Sequence, residues 1–198
     1  MLRSPGPVAK GLRIGLLGGS FNPAHEGHRH ISRASLRVLQ LDYVWWLVTP
    51  GNPLKRTVDQ APFEQRLAGA RAAARHPRII VTGLERDLRT RYTADTLAAL
   101  RDRFPQIRFV WLMGSDNMVQ FAQWRNWPHI FALSPIAIVG RPGTLLKAMA
   151  AKPALRFANR RVAANACVVS HRAPVWTLVA TRYHPASSTA LRAASQTR

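Results

Sequence analysis

LRIGLLGGSFNPAHEGHRHIS, residues 12 to 32, is the stretch on which the reading of this chain turns. Ile14 to Leu17 form an apolar run of the length of a buried strand. Gly18 and Gly19 follow at once, then Ser20, Phe21, Asn22 and Pro23. Glycines let the backbone turn sharply and come close to a ligand. From about Glu26 the pattern turns helical, with Ile31, Leu36 and Leu39 as the expected inner face. A strand, a glycine turn and a helix start place backbone N–H groups where a phosphate would sit. His25 and His28, three apart at the helix start, lean to one side of that turn. Two imidazoles there can donate to phosphate oxygens and share the charge that builds up during phosphoryl or nucleotidyl transfer.

A helix-capping loop with two exposed histidines is the plainer reading of an HxxH pair taken alone. The Gly-Gly turn and the strand before it favour the phosphate site. The stretch is not a dinucleotide fingerprint, because no GxGxxG follows the strand, nor a Walker loop, because no Gly-Lys-Ser/Thr closes it.

At 198 residues one domain is the default, and 47% hydrophobic content suits a packed core. The expected division is a loose tail over residues 1–11 and a single domain over 12–198. No apolar run reaches the length needed to span a bilayer, and MLRSPGPVAKG has no apolar core of a secretory signal. The lone Cys167 makes neither an internal disulfide nor a zinc site, which fits a reducing cytoplasm. A net charge of +20 attracts anions. The arginines are scattered, with no basic block and no nucleic-acid signature, so anionic substrates fit at least as well as nucleic acid, which stays the weaker reading.

Further along, Tyr43 to Val48 is continuously apolar and predicts a strand buried on both faces. Thr49-Pro50-Gly51-Asn52-Pro53-Leu54-Lys55 ends it. Lys55 stands just past the carboxyl end of that strand, where open α/β sheets bind ligands; a solvated loop lysine is the alternative. Phe63 to Arg75 predicts a helix with Leu67, Ala70 and Ala74 inward, and Arg78 to Thr82 a short strand. Glu85 to Thr90 reads as connection. Thr93 is placed to cap a helix running to about Arg103, with Thr96 in its first turn. Ile107 to Met113 predicts another buried strand, ending at Gly114-Ser115-Asp116. Asp116 can accept from a ribose or cap the next helix. Trp124 and Trp127 sit at helical spacing; Trp127 reads as core, while Trp124 offers a stacking face. Pro135 to Val139 and Val175 to Ala180 predict two more strands, with a helix over 145–155. Ser187-Ser188-Thr189 at a helix start offer donors to phosphate, and Arg192 lies one turn on; a capped terminal helix is the alternative.

Taken together these segments resemble the HxGH nucleotidylyltransferase superfamily, and within it the nicotinate-nucleotide adenylyltransferases. GGSFNPAHEGH matches the motif that binds nucleotide phosphates, and PASSTALR is similar to the ISSTxIR motif, with Ala186 and Leu191 as mild departures. TPGNPLK resembles TPxxPxK, RYTADTL resembles YTxDTL, GSD resembles G-[SA]-D, and FAQW resembles FxxW. The resemblance covers roughly residues 12 to 140 and 175 to 192. It implies an ATP site of Gly18, Gly19, Ser20, Phe21, His25, His28, Gly114, Asp116, Ser187, Ser188, Thr189 and Arg192, with His25, His28 and Arg192 catalytic. It also implies a nicotinate mononucleotide site of Asn22, Lys55, Tyr92, Thr93 and Trp124.

The expected fold is α/β, a Rossmann-like, doubly wound, mostly parallel sheet with helices on both faces. Neither a Ser-His-Asp nor a Cys-His arrangement is visible, and the nine carboxylates form no obvious acid–base pair. Direct in-line displacement is therefore expected; the resemblance implies ATP as its substrate with Mg2+ carried on the triphosphate, and with no carboxylate cluster in view no protein metal site is expected. Nicotinamide mononucleotide or phosphopantetheine as acceptor, and a nucleic-acid-binding module, are the alternatives. The chain ends six residues after Arg192, where many members of the family continue with a longer helical tail, so a homo-oligomer is left open.

Overall fold

A computed structural model describes residues 4–51 and 60–181. In chain order the main elements are β1 (Arg13–Gly19), α1 (Glu26–Val38), β2 (Tyr43–Val48), α2 (Phe63–Ala74), β3 (Ile79–Thr82), α3 (Leu84–Asp87), α4 (Thr93–Arg103), β4 (Arg108–Gly114), α5 (Ser115–Gln120), α6 (Trp127–Leu133), β5 (Ile136–Val139), α7 (Leu145–Met149), α8 (Lys152–Arg156), β6 (Arg161–Val162) and β7 (Trp176–Val179). The seven strands form one sheet in the order β3-β2-β1-β4-β5-β7-β6. Every pairing in it is parallel, where the sequence predicts mostly parallel.

The apolar runs explain why the sheet is buried on both faces. Along β1, Ile14 and Leu16 point into one core and Leu17 into the other. In β2, Trp45 and Leu47 join the first core, and Val44, Trp46 and Val48 the second. This period of two means that a strand covered on both faces must be apolar at every position. Ile31, Leu36 and Leu39 near α1, and Leu67, Ala70 and Ala74 on α2, are all buried in the second core, as the helical spacing predicts. Leu97 of α4 with Ile130 and Phe131 of α6 fill the first.

Order changes hand between β1 and β4, so the crevice at their carboxyl ends is the expected ligand position of a doubly wound sheet. Close packing reaches right up to that crevice. A Cβ added at Gly18 would stand 2.5 Å from Trp111 Cη2. The glycine lets the outer edge of a buried indole of β4 reach the end of β1.

Three local expectations differ from the structure. Residues 4 to 11, expected as a loose tail, lie against the domain. Gly11 N–H donates to Gln106 O at 2.9 Å, Gln106 Nε2 donates to Val8 O at 3.1 Å, and Val8 packs on the first core. One helix over 145–155 is two short ones, because Pro153 starts a new first turn at Lys152. The stretch from Glu85 is a short helix rather than plain connection, since Leu84 is drawn into the core. Among the described residues no helix is long and apolar enough to cross a membrane.

Gly18→Ala is expected to cost about 1–3 kcal/mol, the usual penalty for overfilling a packed site. The midpoint of urea unfolding reads it.

Candidate functional site

The end of β1 and the start of α1 make the centre of the site. His25 is extended (φ −151°, ψ 172°) and caps α1: its Nδ1 accepts from Gly27 N–H at 3.0 Å. His28 Nδ1 in turn accepts from His25 N–H at 3.2 Å, which closes a capping box made of two imidazoles. The rings lie 4.0 Å apart between centroids. A neutral imidazole that accepts at Nδ1 carries its proton on Nε2. Each ring thus ends the helix through one nitrogen and carries its proton on the other, so the capping reading and the phosphate reading are compatible in the same rings. His25 is buried, not exposed as the plainer reading expects.

Phe21 fixes this pair from behind. It has φ of 47°, in the left-handed region, and is 1% exposed. Its ring sits 4.6 Å from His28 and 5.0 Å from Trp46. Trp46 Nε1 donates to Ser32 Oγ at 2.7 Å, and Ser32 Oγ donates to His28 O at 2.9 Å, so β2 and α1 are tied through the same ring set. Burial of the phenyl ring offsets the backbone strain.

Ser20 and Asn22 follow on the same loop, and both are buried. Asn22 Oδ1 accepts from Ala61 N–H at 3.3 Å. Arg66, buried on α2, binds the loops from below. Its Nη1 donates to Ser20 O at 2.7 Å and Thr49 O at 2.8 Å, its Nη2 to Pro50 O at 3.0 Å, and its Nε to Ala61 O at 2.9 Å. Burial lowers its pKa from the ordinary arginine value.

At the neighbouring strand, Gly114 ends β4. A Cβ there would lie 2.3 Å from Asp116 Oδ1 and 3.0 Å from Arg141 Nε, so the glycine makes room for an ion pair. Arg141 Nη1 donates to Asp116 Oδ2 at 2.9 Å. Arg141 N–H donates to Ser115 Oγ at 2.8 Å, and Ser115 Oγ meets Thr144 Oγ1 at 2.6 Å. Asp116 Oδ1 is buried with no partner among the described residues. Its two oxygens thus differ: one is held by Arg141, and the other is left to accept.

A third group lies at the start of α4. Thr93 is expected to cap this helix, but it is the first helical residue, and Tyr92 takes the capping position with no side-chain hydrogen bond. The aromatic ring of Tyr92 packs under Arg125, 4.6 Å from centroid to guanidinium carbon. Thr96 is one position further into the helix than a Thr93 cap implies. Trp124 packs edge-on to Phe121 at 4.9 Å and Trp111 at 6.3 Å, and stays half-buried, whereas Trp127 is core. Trp111, which also lies against Gly18, links Trp124 to the end of β1.

Gly18, Gly19, Ser20, Phe21, Asn22, His25 and His28 thus gather at one strand end, and Gly114 and Asp116 lie at the next strand. Tyr92, Thr93 and Trp124 stand at the same sheet edge on α4 and after α5. Lys55, Ser187, Ser188, Thr189 and Arg192 lie outside the described residues.

Sequence reading did not pick out Arg66, Arg141 or Glu85. Glu85, on α3, is 5% exposed. Thr96 Oγ1 lies 3.3 Å from its Oε1, and its Oε2 has no partner among the described residues. Burial pushes its pKa up from 4.5 to about 7, against the opposing pull of the Thr49 and Thr96 hydroxyls.

A model of the family described as Cytidylyltransferase-like matches residues 16–194. A relative from Methylorubrum extorquens (strain PA1), named nicotinate-nucleotide adenylyltransferase, is 51% identical over 183 residues, covering 91% of this chain and 99% of that protein. One of the same name from Parvibaculum lavamentivorans is 60% identical over 141 residues, covering 71% of this chain and 70% of that protein. Among solved structures, Plasmodium falciparum nicotinic acid mononucleotide adenylyltransferase complexed with NaAD matches with a TM-score of 0.70 at 16% identity, covering 92% of this chain and 83% of that one. At that identity the likeness is one of fold.

Between pH 4.5 and about 7 the folded protein holds a proton on Glu85 that the unfolded chain has lost. Its carboxyl therefore contributes stability that is complete below pH 4.5 and falls as pH rises towards 7, by on the order of 3 kcal/mol. Glu85→Gln removes this slope. Melting temperatures of parent and variant across that window are expected to diverge as pH rises, with the parent losing ground.

Proposed function

The chain belongs to the nicotinate-nucleotide adenylyltransferase family, and from that premise we propose that it transfers the adenylyl group of ATP to nicotinate mononucleotide, giving deamido-NAD and pyrophosphate. The observation that best supports this reading is the double-histidine capping box at the switch point of the sheet. It is a pair of imidazoles with protons on Nε2, at a helix N-terminus, one strand away from Gly114 and Asp116. Such an arrangement suits an anion whose charge shifts during reaction.

The reaction is a direct displacement. A phosphate oxygen of the mononucleotide attacks the α-phosphorus of ATP and forms the new P–O bond. The bond from that phosphorus to the bridging oxygen breaks, and its electron pair leaves with pyrophosphate. The nucleophile is already ionised near neutral pH, so no strong base is required. The protein's share is positioning and charge stabilisation. In this proposal His25 and His28, together with Ser187, Ser188, Thr189 and Arg192, hold the triphosphate, and Asp116 accepts from the adenosine ribose. Lys55 holds the mononucleotide phosphate, while Tyr92, Thr93 and Trp124 hold its pyridine end. A helix start suits the nicotinate carboxylate for the same reason that it suits a phosphate.

ATP enters as its magnesium complex. Among the described residues no group of three or more His, Cys, Asp or Glu side chains is placed to hold a metal ion. In this proposal the triphosphate oxygens supply its ligands. A reducing cytoplasm as the place of action rests on the single cysteine.

Pyrophosphate release with ATP and a panel of acceptors tests the proposal. Turnover is expected with nicotinate mononucleotide in preference to nicotinamide mononucleotide and phosphopantetheine. Turnover with phosphopantetheine alone would overturn it. His28→Ala is expected to lower kcat about a hundredfold. Trp124→Ala is expected to raise the KM for nicotinate mononucleotide while leaving that for ATP in place, which a two-substrate matrix of initial rates resolves.

A further inference from the structure

We propose that Arg141 is a positioning residue for ATP: its guanidinium fixes the Asp116 carboxylate for the ribose hydroxyls and cancels its charge beside the triphosphate. The inference rests on the reading above, in which Asp116 accepts from the adenosine ribose.

A carboxylate is an awkward group to place beside ATP. The chain has nine acidic residues against 29 lysines and arginines, so an acid at the nucleotide crevice stands out. Asp116 follows the end of β4 almost directly, and its side chain is 40% exposed. Unpaired, it would repel a triphosphate, because like charges disfavour association. Arg141 Nη1 donates to Asp116 Oδ2 at 2.9 Å, and the arginine side chain is only 17% exposed. The pair is therefore less screened by water than an ordinary surface ion pair.

The loop that carries Arg141 does not need the guanidinium for its own shape. Residues 140–143 follow β5, and other bonds hold them. Arg141 N–H donates to Ser115 Oγ at 2.8 Å, and Arg141 O accepts from Thr144 Oγ1 at 3.3 Å and from Thr144 N–H at 3.4 Å. Gly140 N–H donates to Val179 O at 3.5 Å. The loop stays in place through its main chain, which leaves the end of the side chain for Asp116. Gly114 keeps the space open: Asp116 Oδ1 and Arg141 Nε both lie where a side chain at position 114 would go.

Asp116 has no competing duty. It lies in the first turn of α5, yet that helix has Gly114 as its cap and no side-chain cap bond. A carboxylate offers about four acceptor positions. Arg141 fills one of them, and Oδ1 has no donor among the described residues. An acceptor left this way in a folded protein calls for a donor from elsewhere. A ribose brings two adjacent hydroxyls, which suit the two oxygens of one carboxylate. Without Arg141 the carboxylate is free to change rotamer and has to be ordered again when the nucleotide binds. With Arg141 its plane is set beforehand.

The experiment is steady-state pyrophosphate release by the full chain with nicotinate mononucleotide as acceptor. ATP, 2′-deoxy-ATP and 3′-deoxy-ATP are compared as donors in the parent, Arg141→Gln and Arg141→Lys. The parent is expected to favour ATP over at least one deoxy analogue by about tenfold in kcat/KM. Arg141→Gln is expected to raise the KM for ATP about tenfold, to leave that for the mononucleotide level, and to cut the discrimination to about twofold. Arg141→Lys restores the charge but not the fixed plane, so it is expected to recover part of the ATP affinity and little of the discrimination. A merely structural role would not move the preference among the three donors. The inference is overturned if Arg141→Gln keeps the parent's discrimination, if both KM values rise together, or if the parent accepts all three donors equally. Should Arg141→Gln not fold, Arg141→Lys decides alone, and parent-like discrimination in it overturns the inference. Absence of any pyrophosphate from the parent with ATP and nicotinate mononucleotide would instead sink the functional reading.

Discussion

One buried guanidinium holds the mouth of this sheet in shape. Arg66 gives hydrogen bonds to the carbonyls of Ser20, Thr49, Pro50 and Ala61, which belong to the loops after β1 and β2 and to the lead into α2. Loop carbonyls left buried without donors each cost energy, and a buried charge costs more. The arrangement is stable because each need meets the other. The planar fork of arginine reaches separate carbonyls in fixed directions, which the single ammonium of lysine does not reproduce. The position of Ser20 therefore depends on a side chain 46 residues away, and so does the turn at Thr49.

The same economy appears at the histidines. Ending α1 and, as proposed, donating to an anion look like rival duties for His25 and His28. The structure divides them between the two nitrogens of each ring. Because Nδ1 accepts a backbone N–H in both, the proton is placed on Nε2 before any ligand arrives. Donors that need no reorganisation at the moment of reaction are the ones that lower a barrier most. Phe21, strained and buried behind His28, keeps the ring from turning.

The strands were legible because burial on both faces writes an unbroken apolar run, and Tyr43 to Val48 matches β2 residue for residue. The glycine turn and paired histidines were legible because few other arrangements need those residues together. Arg66 and Glu85 were not, for a physical reason. A charged residue on a short helix normally faces solvent, and nothing local marks one that is buried. What buries Arg66 is a set of carbonyls from two distant stretches and from the lead into α2, and what buries Glu85 is the packing of α3 against β2. The shift from Thr93 to Tyr92 as the cap is a one-residue difference in where the helix starts, which a local pattern does not resolve. The tail over residues 4 to 11 is held by the side-chain amide and the carbonyl of Gln106, which bind main-chain atoms of the tail that no side-chain pattern reports.

Strand order explains why a two-substrate reaction suits this site. With β1 between β2 and β4, the segments that follow β2 and β3 gather on one side of its carboxyl end. These include Thr49, Glu85 and, through Thr96, the start of α4. The segments that follow β4 and β5 gather on the other, with Asp116 and Arg141 paired there. His25 and His28 stand over β1, between the two. An in-line displacement needs its nucleophile and leaving group on opposite sides of one phosphorus. A strand order that reverses beside β1 supplies two flanks around one central pair of histidines, so the topology suits the proposed in-line attack before any single contact to substrate is considered.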